Sequence, residues 1–65
     1  LNSIENYTKA IELYPYMGDA YFNRGLVLIY LKDKEKGCID LSRAGELGVR
    51  DAYGVIKKYC EEEND

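Results

Sequence analysis

Residues 19–47, DAYFNRGLVLIYLKDKEKGCIDLSRAGEL, leave this chain little freedom in how it folds. Tyr21, Arg24, Gly25 and Leu28 fall at i, i+3, i+4 and i+7, one face of an α-helix. Gly37, Leu41 and Ala44 fall at i, i+4 and i+7 on a second. Residues 32–36 (KDKEK) between them are too charged to bury and supply a turn. The pattern predicts an antiparallel helical hairpin. If the hairpin closes at that turn, Gly25 and Gly37 stand at similar heights on facing helices. A glycine inside a helix costs about 1 kcal/mol relative to alanine, so the pair predicts a close crossing.

Helix signals extend in both directions. Residues 2–14 read as a first helix, with Asn2 or Ser3 as its cap, Glu5 in its first turn and Tyr14-Pro15 ending it. Asp19 is expected to cap the second helix, over about 19–32, and Asp33 the third, over about 34–47. Gly48 is placed for a left-handed C-terminal residue. Asp51 is expected to cap a fourth helix over about 52–62, before the acidic end at 61–65. The apolar face of this last helix is Ala52, Val55, Ile56, Tyr59 and Cys60, and Lys57, Lys58, Glu61 and Glu62 lie on the other. The fold class is therefore all-α, about four helices in antiparallel hairpins.

The hairpin is also one period of a repeat. A shift of 34 residues carries Ala44 onto Ala10, Leu41 onto Tyr7, Arg43 onto Lys9 and Leu47 onto Leu13. Residues Tyr21-x2-Arg24-Gly25-x2-Leu28, followed by Gly37-x3-Leu41-x2-Ala44, resemble the tetratricopeptide repeat family, whose period is 34. The resemblance covers residues 3 to about 48. Its departures are Arg24 for leucine, Gly37 for alanine and Val49 for the closing proline. The run GDAYFNRG is close to common bacterial versions of the repeat, and GC-x-D, A-x-ELG and KYC look like the terminal repeat and its cap. On this reading 2–14 is the second helix of one repeat, 19–48 a full repeat and 51–63 a capping helix, together a piece of a longer right-handed solenoid. Helical arrays end in elements that are apolar inside and polar outside.

The resemblance implies a non-catalytic module for protein–protein interaction. The first helix of each pair in the family lines a concave groove that receives a peptide. Asp19, Phe22, Asn23, Leu26, Ile29 and Tyr30 are the groove candidates here. The competing reading is that the stripe Phe22, Leu26, Ile29 and Tyr30 packs on neighbouring helices, and that the chain is a structural cap with no ligand. Co-chaperones of the family clamp a C-terminal carboxylate with lysines, arginines and asparagines. Asn23 matches one such position, but Phe22 and Leu26 stand where polar groups would help, so the clamp is incomplete.

Other function classes have little footing. The chain has no histidine, the usual general base near neutral pH. Two cysteines 22 apart, without CxxC spacing, do not make a zinc site. No glycine-rich phosphate loop occurs, and no enzyme activity, cofactor or metal is expected. A net charge of −3 argues against nucleic acid, whose phosphates require a basic surface. The longest apolar run, 26–31, is too short for a membrane span.

Two expectations concern surfaces. In an antiparallel pairing of the third and fourth helices Cys38 and Cys60 stand level, either as two buried thiols or as a disulfide. The compartment, cytoplasmic or periplasmic, stays open. On helix 1, Ile4 and Ile11 suit packing on the second helix. Tyr7, Ala10 and Tyr14 match positions that face the preceding helix of the same repeat, so either a homodimer through helix 1 or that helix in a longer chain is expected to cover them.

Overall fold

The structure, a computed structural model, describes residues 3–61. Four α-helices are formed among them: α1 (Ser3–Leu13), α2 (Gly18–Tyr30), α3 (Lys34–Glu46) and α4 (Asp51–Tyr59). The all-α expectation is met. Asn2, the alternative first cap, and residues 62–65 of the acidic end lie outside the described residues, and Ser3 is the first residue of α1.

Each helix packs chiefly on its neighbours in the chain, and the α2–α3 pair is the most extensive. The result is a slab of 38 × 25 × 13 Å. Its core is small. Leu41, Ala44 and Ala52 are fully buried, with Phe22, Leu26, Ile29, Val49, Val55 and Ile56 packed around them. The core thus lies between α2, α3 and α4, and α1 contributes no fully buried residue.

Gly25 and Gly37 explain the depth of the α2–α3 contact. A methyl group on Gly25 would sit 2.9 Å from the Gly37 carbonyl oxygen and 2.9 Å from Leu41 Cγ. One on Gly37 would sit 2.8 Å from the Gly25 carbonyl oxygen and 2.6 Å from Ile29 Cγ1. The backbones meet with no side chain between them.

Two tight joints set the hairpin geometry. At the end of α3, Gly48 has φ +104°, the Val49 N–H donates to the Ala44 carbonyl (3.0 Å) and the Gly48 N–H to that of Gly45 (3.1 Å). These two bonds satisfy carbonyls that a helix end leaves without partners. The end of α2 repeats the arrangement with a lysine. Lys32 has φ +69°, its N–H donates to the Ile29 carbonyl (2.9 Å), and the Asp33 N–H donates to that of Leu28 (2.8 Å). Asp33 then caps α3 as expected, accepting from the Lys36 N–H at 3.4 Å.

Three helix-end expectations need correction. Asp19 does not cap α2: the helix begins at Gly18, and Met17 is the cap residue with no side-chain bond. Gly18 is buried where a side chain would run into Val49, so packing on the end of α3 draws the helix start one residue forward. Asp51 likewise is the first residue of α4 rather than its cap, a place taken by Arg50. Both carboxylates still lie in a first turn, where the helix dipole favours them. Lastly, α4 ends at Tyr59, not near 62: Cys60 is its C-terminal cap residue, and the Cys60 and Glu61 N–H groups both donate to the Ile56 carbonyl (2.7 and 3.1 Å), which closes the helix in a turn.

Candidate functional site

A hollow of about 350 Å³ on the α2–α4 side is lined by Leu26, Ile29, Tyr30 and Tyr59. Helix periodicity puts Leu26, Ile29 and Tyr30 on one stripe of α2, and Tyr59 comes from the last turn of α4. Leu26 and Ile29 are half-buried and form the floor, packed against the core. Tyr30 is 82% exposed and Tyr59 42% exposed, so two aromatic rings stand in solvent at the sides of an apolar floor. Lys58 Nζ lies 5.5 Å from the centre of the Tyr59 ring, a cation–π contact that puts a positive charge at that edge.

Of the six residues expected to face a groove, Leu26, Ile29 and Tyr30 share this hollow. Asp19 is exposed in the first turn of α2, at the far end of the helix. Phe22 and Asn23 are half-buried, and Phe22 packs on the core cluster. The stripe therefore does two jobs, core at Phe22 and surface at Tyr30. Sequence periodicity places Tyr59 only on the apolar face of the last helix. Its place beside Tyr30 depends on the α2–α4 geometry, which no spacing within one helix reveals.

On the other side a second hollow, of about 320 Å³, lies among Ile4, Thr8, Arg24, Leu28, Lys36, Ile39 and Asp40. Its floor is a polar cluster. Arg24 Nε donates to Asp40 Oδ2 at 2.7 Å and Nη2 to Oδ1 at 2.9 Å, while Nη1 donates to Thr8 Oγ1 at 3.1 Å. The two parallel bonds are the fork arrangement a guanidinium makes with a carboxylate. Asp40 is only 6% exposed, and the hydrogen bond to it raises the Arg24 pKa, outweighing the opposing effect of burial. Three of the guanidinium's donor groups are thus committed inside the protein. The cluster joins α1, α2 and α3. The antiparallel register that sets Gly25 against Gly37 also places Arg24 beside Asp40, which is the signal that could have found the pair.

Cys38 and Cys60 are joined in a disulfide, with Cα atoms 6.1 Å apart, tying the fifth residue of α3 to the residue that follows α4. Among the described residues no group of histidine, cysteine, aspartate and glutamate is arranged to hold a metal ion. No helix among them is long and apolar enough to cross a membrane.

The fold and the hollows define the chain as an all-α protein of serially packed helical hairpins. Comparison with protein-family profiles, with curated proteins and with solved structures returned no match.

Proposed function

We propose that this chain is a non-catalytic protein-interaction module of the tetratricopeptide type, which takes an apolar peptide segment in the hollow between α2 and α4. The observation that carries the reading is that two exposed tyrosines, Tyr30 and Tyr59, line one hollow with Leu26 and Ile29. Exposed aromatics around an apolar floor are what a protein uses to anchor a partner side chain, because a ring gives much contact area for little lost freedom. The 34-residue spacing supports the family reading, in which the chain would belong to a longer solenoid. The rival, a structural cap without a ligand, draws on Phe22, Leu26 and Ile29 being packed on the core.

A panel of immobilised random peptides screened against the oxidised chain separates the two. The expected result is capture of peptides rich in aliphatic side chains. Tyr30→Ala should then weaken the captured peptide about tenfold, the scale of losing one aromatic anchor, with circular dichroism unchanged. Affinity that survives both Tyr30→Ala and Tyr59→Ala would place the site elsewhere. Capture of no peptide at all would leave the structural cap.

A further inference from the structure

We propose that the Cys38–Cys60 disulfide is a redox-sensitive latch that holds α4 in place as a wall of the Leu26–Tyr30 hollow, so that the site is assembled only in the oxidised protein. The inference rests on the interaction reading above for what the wall is for, and on the structure of α4 for how it is held. This helix has nine residues, and Ala52, in its first turn, is the only fully buried one. Val55 and Ile56 are half-buried against the core, and the Tyr53 ring lies over Gly45. Past Ile56 the next three side chains, Lys57, Lys58 and Tyr59, are exposed. Helices below roughly 12 residues are marginal in water on their own, so the last turn must be held by ties to the rest of the fold. The tie at that end is Cys60, whose N–H donates to the Ile56 carbonyl at 2.7 Å and whose sulfur is bonded to α3.

The hollow depends on that turn. Tyr59 is the residue immediately before Cys60 and the one side chain that α4 gives to the hollow. Both cysteines are half-buried rather than sealed in the core, so a thiol can approach them. A reducing dithiol attacks one sulfur as a thiolate, forms a mixed disulfide, and is then displaced by its own second thiolate. The Sγ–Sγ bond breaks, and two electrons and two protons pass from the dithiol to Cys38 and Cys60. Two thiols and a cyclic disulfide of the reductant remain. The last turn of α4 then keeps only the half-buried contacts of Ile56 and Cys60, opens locally, and takes Tyr59 away from Tyr30.

Amide hydrogen exchange on the full chain, followed residue by residue by NMR, tests the latch. It is read for the oxidised protein, after dithiothreitol, and in the Cys38→Ser/Cys60→Ser variant. The amides of Lys57, Lys58, Tyr59 and Cys60 should exchange at least about tenfold faster once the bond is gone, as a local opening requires. Those of Leu26, Leu41 and Ala44 should change little, and reoxidation should restore protection. An α4 that exchanges at the same rate in both forms would overturn the latch. So would uniform acceleration of all four helices, which would make the disulfide a staple of the whole fold. In parallel, a peptide captured by the oxidised chain should lose about tenfold in affinity on reduction, or about 1.4 kcal/mol. Equal binding with a loosened α4 would show that Tyr59 is no part of the site. Failure to capture any peptide would remove the interaction reading, whatever the exchange of α4 shows.

Discussion

At the residue scale, the Arg24–Asp40 pair is where chemistry and stability are most tightly joined. Asp40 is nearly buried and accepts two bonds from one guanidinium, so removing either partner strands the other. Asp40→Ala should cost about 2–4 kcal/mol, somewhat less than the ~3–5 kcal/mol of a fully buried broken pair, because Arg24 keeps 20% side-chain exposure. Replacing both partners by hydrophobic residues, as in Arg24→Leu/Asp40→Leu, should recover most of that loss, since a buried ion pair is often no better than good apolar packing. Urea unfolding of the singles and the double completes the cycle. A double variant no more stable than the sum of the singles would mean the two side chains act independently. The raised Arg24 pKa adds a sign: its stabilising effect is present throughout the neutral range and is lost only in strong alkali.

At the scale of elements, the α2–α3 hairpin governs the fold, and its governing feature is a contact between two backbones. Gly37→Ala places a methyl group against the Gly25 carbonyl and Ile29, neither of which can yield without parting the helices. Overpacking of this kind costs about 1–3 kcal/mol. The gain in helix propensity, about 1 kcal/mol, works against it and should lose. A thermal melt in which the alanine variant matches the parent would show that the helices have room to spare. This much of the fold was legible in sequence, because periodicity, a charged turn and two glycines in register are all local signals. What escaped depended on contacts between elements. The start of α2 is set by Gly18 meeting Val49, thirty-one residues on, and so the nearest good capping residue, Asp19, was the wrong choice. Likewise the bond between Cys38 and Cys60 joins positions 22 residues apart. The hollow was legible by half: Leu26, Ile29 and Tyr30 share one helix stripe, whereas Tyr59 reaches them only through the packing of α4.

For the whole molecule, the thin slab leaves apolar surface at one end. Leu13, Tyr14, Tyr16 and Met17 are all exposed where α1 meets α2, and Tyr7 and Ala10 are half-buried. Open-ended stacking of copies is opposed at the other end: matching Ala52-Tyr53 of α4 to Ala20-Tyr21 of α2, a shift of 32, sets Lys57 where α2 has Gly25. A helix could not cross α4 as closely as α3 crosses α2. We therefore propose that any self-association is a twofold contact through α1, which closes on itself. Sedimentation across a concentration series should show monomer passing to dimer and no further. A chain that stays monomeric at high concentration, or one that grows into long polymers, would exclude it. The disulfide has one more consequence, a mechanical one. Tension applied to the two ends of the chain would run through α1, α2 and the first turn of α3, then cross from Cys38 to Cys60. The 22-residue span between the two cysteines would carry no load. Leu41, Ala44 and Ala52, the three residues at the centre of the core, all lie inside that shielded loop. A pulled oxidised chain would come out roughly 70 Å shorter than a reduced one, at about 3.4 Å per extended residue. In the oxidised chain that loop would be the one stretch that pulling leaves slack.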